Sequence, residues 1–223
     1  MARVGAVKAL VLPVLACGIM FVTPLLNAED VLVVSDFEKC PNNLKGDVGV
    51  YGSLEPNWGE KATTPYSWYY DRTTPGYNAK NVHGGGQSFR LVNALGAKKD
   101  ETWGSFSLDL GPTTDLKVTP KKVQSKDVTS RKYLAFWVKG EKGGEKMEVL
   151  FRDSHSDSYM PQAKYAVPEV TTEWARILVP LGEIQKLGVD LKALDNIGLA
   201  FGPDVGNGLG ATIYIDDFVF TDK

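Results

Sequence analysis

Ile213-Tyr214-Ile215-Asp216-Asp217-Phe218-Val219-Phe220 decides how the rest of the chain is read. β-Branched and aromatic residues favour a pleated, half-buried surface. Here they stand on both sides of two adjacent acids, so the stretch reads as a strand near the centre of a sheet. Side chains alternate across a strand, so Asp216 and Asp217 fall on opposite faces and at most one can point the same way as Ile213 and Ile215. A buried carboxylate is costly unless it is paired, hydrogen-bonded or bound to a metal. Another part of the chain must therefore account for the acid that faces inward.

Similar short strand signals recur upstream. Residues 31–34 form an apolar strand that runs into Ser35-Asp36-Phe37-Glu38, and strands are expected at 48–51 and 88–92. In 103–110, Phe106, Leu108 and Leu110 share one face while Trp103, Ser105, Ser107 and Asp109 share the other. In 147–152, Val149 and Phe151 oppose Glu148, Leu150 and Arg152. Further strands are expected at 133–138, 163–167, 174–179 and 196–201, with Pro180 ending the pairing of the strand at 174–179. Helical spacing occurs only in Leu181, Ile184, Leu187, Leu191 and Leu194, interrupted by Gly188. Residues 111–130 are polar and read as a long surface connection, and 202–210 as a Gly-rich loop. With turns at short intervals and no βα alternation, the pattern specifies an all-β fold: an antiparallel β-sandwich of the jelly-roll type with one short helix. No repeat or linker divides residues 29–223, so they read as a single domain.

Residues 1–28 are expected to lie outside that fold. Arg3 and Lys8 precede an apolar run over 9–26, and Leu26-Asn27-Ala28 places a small residue at a cut before Glu29-Asp30. This is the pattern of a secretory signal peptide, implying bacterial secretion or periplasmic export with no stable membrane insertion after cleavage. A retained anchor is the alternative, since the run is long enough to span a bilayer, and lipidation at Cys17 is a third. Cleavage would leave 23 basic against 27 acidic residues, a charge of -4, and Cys40 as the sole cysteine. No internal disulfide could then form, and the fold would depend on its core, to which a metal could add.

The same residues exclude most chemistry. No basic stripe suggests nucleic acid. His83 and His155 are the only histidines, and no nucleophile elbow, Walker loop or zinc spacing occurs. Glycosidases need two carboxylates across a cleft, and no strand carries closely spaced alternating acids. Gly84-Gly85-Gly86 lacks the lysine of a phosphate loop and precedes a strand.

Sugar binding needs flat apolar area, which aromatic rings supply, together with side chains that donate and accept hydrogen bonds. Three groups qualify. Tyr66, Trp68, Tyr70 and Asp71 form one dense run, and Trp68 with Tyr70 would share a face of a strand. Trp103, Ser105 and Ser107 lie opposite a core face, and Arg152, Asp153, His155 and Tyr159 cluster at a strand end and its loop. The competing readings are plain ones. Trp137 and Trp174 sit inside apolar strands and read as core. Arg152 could pair with Glu148 or Asp153 at the surface, where such pairs contribute little, and His155 could be solvated.

In order along the chain come Asp36-Phe37-Glu38, Gly84-Gly85-Gly86-Gln87-Ser88, Trp103-Gly104-Ser105-Phe106, Leu134-Ala135-Phe136-Trp137-Val138-Lys139-Gly140, Glu173-Trp174-Ala175-Arg176-Ile177-Leu178-Val179-Pro180-Leu181 and Ile213-Tyr214-Ile215-Asp216-Asp217. Their order resembles the jelly-roll carbohydrate-binding modules of the family-11 type and their relative, the complex I intermediate-associated protein domain, which share a galactose-binding-like fold. The resemblance implies a non-catalytic protein that recognises a polysaccharide or oligosaccharide on a concave sheet face. It implies a structural calcium between the first and last strands, held by Glu38 and Asp216, with Asp217 as the second choice and backbone carbonyls from Asp36 and around Gly86 or Gln87. Calcium takes about six to eight such hard oxygen ligands. The ligand-binding residues it suggests are Tyr70, Asp71, Arg152, His155 and Tyr159, beside which Trp68 and Trp103 stand as aromatic candidates. A protein-interaction or assembly role on the same fold is the alternative, and a glycan-active enzyme is less favoured.

Overall fold

A computed structural model describes residues 31–38, 42–52, 54–56, 77–78, 81–86, 88–93, 103–118 and 120–223. The leader, Cys40, Trp68, Tyr70 and Asp71 lie outside the described residues. The strands in chain order are β1 (Leu32–Ser35), β2 (Val48–Gly52), β3 (Leu54–Pro56), β4 (Tyr77–Asn78), β5 (Ser88–Asn93), β6 (Gly104–Asp109), β7 (Thr113–Asp115), β8 (Lys122–Val123), β9 (Tyr133–Gly140), β10 (Glu148–Asp153), β11 (Ala163–Ala166), β12 (Ala175–Pro180), β13 (Leu194–Ala200) and β14 (Thr212–Thr221). Among the described residues a single α-helix, α1 (Leu181–Lys186), follows β12.

Every strand pairing is antiparallel. One sheet has the order β12-β9-β14-β5-β3, with β1 added to β14 and β4 to β5; the other has the order β11-β10-β13-β6-β2. The all-β sandwich with one short helix is therefore the observed fold. Alternation explains it locally. Phe106 and Leu108 of β6, Val149 and Phe151 of β10, Phe136 and Val138 of β9, and Ile213 and Ile215 of β14 all turn inward and are sealed from solvent. Phe37, Phe89, Phe106 and Phe218 meet between the sheets with ring centroids 5.2 to 6.3 Å apart. Phe218 also stacks on Phe136 at 4.6 Å. Pairs of this kind add about 0.5–1.5 kcal/mol to what burial contributes.

Strand β14 pairs with β9 along its length, with β5 over residues 212–215 and with β1 over 218–220. The change of partner occurs at a bulge between Asp216 and Val219, where Asp217 has φ 52°. A bulge inserts an extra residue and re-aims side chains. Neither acid faces the core as a result. Asp216 lies opposite Trp137 on the outer side of the sheet, Asp217 is turned toward His83, and Phe218 takes the inward position. The expectation of an inward-facing acid is thereby corrected.

Two further expectations change. Trp137 and Trp174 are half-buried on the outer side of the sheet rather than in the core. Residues 111–130 are not a plain surface connection: they hold the β7–β8 hairpin, and Val123 and Val128 from this stretch are buried.

Candidate functional site

The acids expected to hold calcium gather at the turn over residues 83–86, and they do so through N–H groups. Phe37 has φ 53°, which turns its ring into the core. The Glu38 carboxylate accepts a hydrogen bond from the Gly86 N–H at 2.6 Å. Asp216 accepts from the His83 N–H at 3.2 Å and from the Asp217 N–H at 2.9 Å. Asp217 lies 3.2 Å from His83 Nδ1, and the His83 ring stacks on Trp137 at 3.6 Å. Asp36 is engaged separately, accepting from Glu38 N–H at 3.0 Å and Asn43 Nδ2 at 2.9 Å. Burial, with the charge of Asp217 beside it, pushes the Asp216 carboxyl up to about 7 against the pull of its N–H donors.

These oxygens are of the hard type that calcium takes. Each of the hydrogen bonds named, however, runs to nitrogen, and Gly86 contributes its N–H where a carbonyl was expected. Among the described residues no group of three or more His, Cys, Asp or Glu side chains is placed to hold a metal ion. What the geometry does show is a clasp that fastens the 83–86 turn across the outer side of β14.

The outer face of the five-stranded sheet is different in kind. Register places Gly49 and Tyr51 of β2 opposite Ser107 and Ser105 of β6, which in turn oppose Gly198 and Ala200 of β13; Leu150 and Arg152 of β10 oppose Gly198 and Asn196. Small residues thus form the middle of the face. A Cβ on Gly198 would come within 2.6 Å of the Phe106 carbonyl oxygen, and one on Gly49 within 2.3 Å of the Tyr51 hydroxyl. The Tyr51 ring therefore lies along the backbone of Gly49, an arrangement that any other residue at 49 would obstruct. Trp103, 47% exposed, continues the same side of β6 beyond Ser105.

Toward the other end the face becomes polar and tightly bonded. Asn42 is buried and accepts from the Leu44 and Gly46 N–H groups while donating to the Asp109 carbonyl. This ties the turn that presents Asp47. Lys121, from the connection between β7 and β8, reaches back over the sheet and places Nζ 2.7 Å from both Asp47 and Asp109. Burial alone would lower the Lys121 ammonium, but attraction to Asp109 and hydrogen bonds to Asp109 and Asp47 raise it well above the ordinary lysine value. Asn196 donates to Ser107 Oγ at 2.8 Å and to Asp109 at 2.7 Å.

Arg152 pairs with neither Glu148 nor Asp153, which corrects the surface-pair reading. Its Nε and Nη2 donate to the two oxygens of Asp195 at 3.1 and 3.2 Å. Asp195 is the residue skipped in the β10–β13 register at a bulge, which aims it at the guanidinium. Burial raises the Asp195 carboxyl, and Arg152 opposes that rise. The Tyr159 ring lies 6.0 Å from the guanidinium carbon, within cation–π range. The Tyr159 hydroxyl accepts from the Lys121 backbone N–H at 3.1 Å.

The structure therefore brings Arg152, Tyr159 and Trp103 to one side of the sandwich. His155 Nε2 lies 3.2 Å from Asp190. Tyr51, Asn196, Asp47, Asp109 and Lys121 were not singled out from sequence. Alternation in 103–110 had already put Asp109 on the face of Trp103, Ser105 and Ser107, and the Gly49-Val50-Tyr51 alternation could have flagged Tyr51.

An aromatic and hydrogen-bonding sheet face on a jelly-roll sandwich calls for comparison with known sugar binders. The family model of carbohydrate binding domain 30 matches residues 53–222. The chain belongs to that family. Modules of family 30 and of the family-11 type that the motif order resembles are both represented among similar solved structures. A family 30 carbohydrate-binding module of a cellulosomal cellulase of Clostridium thermocellum is 20% identical with a TM-score of 0.52, over 86% of this chain and 98% of that one. A second family 30 module gives 19% and 0.55, over 87% and 90%. The family 11 module from Clostridium thermocellum, in complex with a β-1,3-1,4-mixed-linked tetrasaccharide, gives 11% and 0.52, over 86% and 95%. No curated protein matches. As a carbohydrate binding domain 30 member, the chain has a family-level role in glycan binding, and the structural likenesses support the sandwich fold.

Proposed function

We propose that this chain is an exported, non-catalytic protein that binds a glycan chain on the outer face of the five-stranded sheet. The observation that carries the reading is the make-up of that face. Tyr51 laid along Gly49, the exposed Trp103 and Tyr159, and the side chains of Ser105, Ser107, Asn196 and Arg152 share one surface. Pyranose rings are apolar on their faces and ringed by hydroxyls, so this combination suits them. Trp68, Tyr70, Asp71 and His155 stay in the proposal on sequence grounds. Export rests on the leader pattern, and among the described residues no helix is long and apolar enough to cross a membrane.

A neutral β-linked glucan is the first ligand to try, since the family 11 structure of the same fold holds a β-1,3-1,4-mixed-linked tetrasaccharide. Titration calorimetry of the protein with this tetrasaccharide, alongside affinity gels containing soluble polysaccharides, tests the reading. Retardation in at least one gel is expected, and no binding to any of them refutes it. Calcium at the clasp is a separate proposal, resting on the hard oxygens of Glu38, Asp216 and Asp217 and on the motif resemblance. A melting temperature that does not respond to calcium or chelator refutes it.

A further inference from the structure

We infer that Arg152 and Asn196 together form a subsite that grips two neighbouring hydroxyls of one sugar ring, an inference that rests on the glycan-binding reading. The two residues stand directly opposite each other across β10 and β13, where facing side chains start about 4.5–5.5 Å apart. Each is fixed by bonds that leave one end unused. Arg152 commits Nε and Nη2 to Asp195, and its Nη1, with two N–H donors, has no partner among the described residues. Asn196 commits its NH2 group to Ser107 and Asp109. A carboxylate only accepts hydrogen bonds, so Asp109 determines which end of the amide is nitrogen. Asn196 Oδ1 is left as an acceptor, again without a partner among the described residues.

Neither unused group is sealed away. Among the described residues the only enclosed side-chain polar atoms without a partner are Asn93 Oδ1 and Glu145 Oε2, so Arg152 Nη1 and Asn196 Oδ1 each keep some open surface, although the Arg152 side chain as a whole is only 7% exposed. The face thus presents a rigid donor beside a rigid acceptor. Tyr159 adds to it: its oxygen accepts from Lys121, which leaves its own hydrogen to be donated.

The chemistry of the occupant follows. A carboxylate or sulfate could take the Nη1 donors but would meet Asn196 Oδ1 and the carboxylates of Asp109 and Asp195. A cation would meet the guanidinium. Hydroxyls both donate and accept, so one ring hydroxyl can accept from Nη1 while its neighbour donates to Asn196 Oδ1. The subsite therefore selects an uncharged sugar unit with two adjacent free ring hydroxyls. It disfavours units in which either hydroxyl is substituted, since that leaves a fixed polar group unpaired, the situation in which hydrogen-bonding sites discriminate most.

The test is calorimetry of the full chain with the β-1,3-1,4-mixed-linked tetrasaccharide and its singly O-methylated forms, on the natural protein and on Arg152→Lys. Lysine keeps a cation for Asp195 but removes Nη1. Methylation at each of two adjacent ring positions is expected to weaken binding by at least about tenfold, and Arg152→Lys to weaken the parent ligand similarly while gaining little further loss from the same methylations. If the tetrasaccharide binds but no single methylation changes affinity by more than about twofold on the natural protein, the subsite is wrong and the glycan reading survives, a result that needs no variant to fold. If neither the tetrasaccharide nor any polysaccharide binds, both fall.

Discussion

Replacing Lys121 by Met should show how strongly the polar end of the sheet face depends on one side chain. The Lys121 ammonium sits 2.7 Å from Asp109 and 2.7 Å from Asp47, and the side chains of Lys121, Asp109 and Asp47 are 18%, 6% and 42% exposed. Asp47 is open enough for water to replace the lysine, so its share is small. Asp109 is not, and in the variant it would keep, among the described residues, only the Asn196 amide. Removing one partner of a buried pair costs about 3–5 kcal/mol because the other charge is stranded. The exposed side of the network places Lys121→Met at the low end, about 3 kcal/mol. For a domain of this size that is about 6–12 °C in melting temperature. Lys121→Arg should recover most of it. The raised Lys121 value means its contribution is present below the ordinary lysine range and is lost only as pH rises above it. The natural protein should therefore show no change from this pair between about pH 7 and 9. In Lys121→Met, acid should narrow the deficit, since protonating the stranded carboxyl relieves it. Urea unfolding followed by tryptophan fluorescence at neutral and acidic pH measures this. A deficit under about 1 kcal/mol at neutral pH, or one that acid leaves unchanged, would refute the reasoning.

Other outcomes follow from the same geometry. Asp216, raised from 3.8 to about 7, holds a proton in the folded state that the unfolded chain releases, so in chelator the protein should lose stability as pH rises across that interval. Asp216→Asn should flatten the slope, and added calcium should restore stability near neutrality if the clasp binds it; thermal melts over pH with calcium or chelator read both. Gly49→Val should lift the Tyr51 ring, whose hydroxyl is 2.3 Å from where a Cβ would stand. Glycan affinity should fall about tenfold, and unchanged retardation in affinity gels would remove Tyr51 from the site. Trp103→Ala should leave stability within about 0.5 kcal/mol, as exposed positions do, while weakening glycan binding; a large drop in melting temperature would show that Trp103 is structural.

The alternation of Phe106, Leu108 and Leu110 against Ser105, Ser107 and Asp109 was enough to orient β6, because period-two patterning depends only on neighbours along one strand. Trp103, Arg152 and Tyr159 were legible as binding candidates by residue type and position at strand ends. Trp137 was misread, because apolar neighbours on both sides suggested that both faces lay inside. Its outer face is in fact covered by His83 from a distant turn. The pair of acids was misread for a related reason: strict alternation holds only where no bulge interrupts it, and the break at Asp217 depends on β14 changing partners from β5 to β1.

The sequence by itself determined the class of fold, the position of most of the longer strands, which of their faces is buried, and the likeness to carbohydrate-binding modules. These depend on short-range pattern and on motif order. Only the tertiary structure decided how the polar end of the face is assembled. Asp47, Asp109, Lys121, Arg152, Asp195 and Asn196 come from widely separated parts of the chain, and their partners are set by sheet register and by a hairpin folding back. A hydrogen bond needs its atoms within about 3 Å and in line, a condition met only once long-range pairing has brought those strands together.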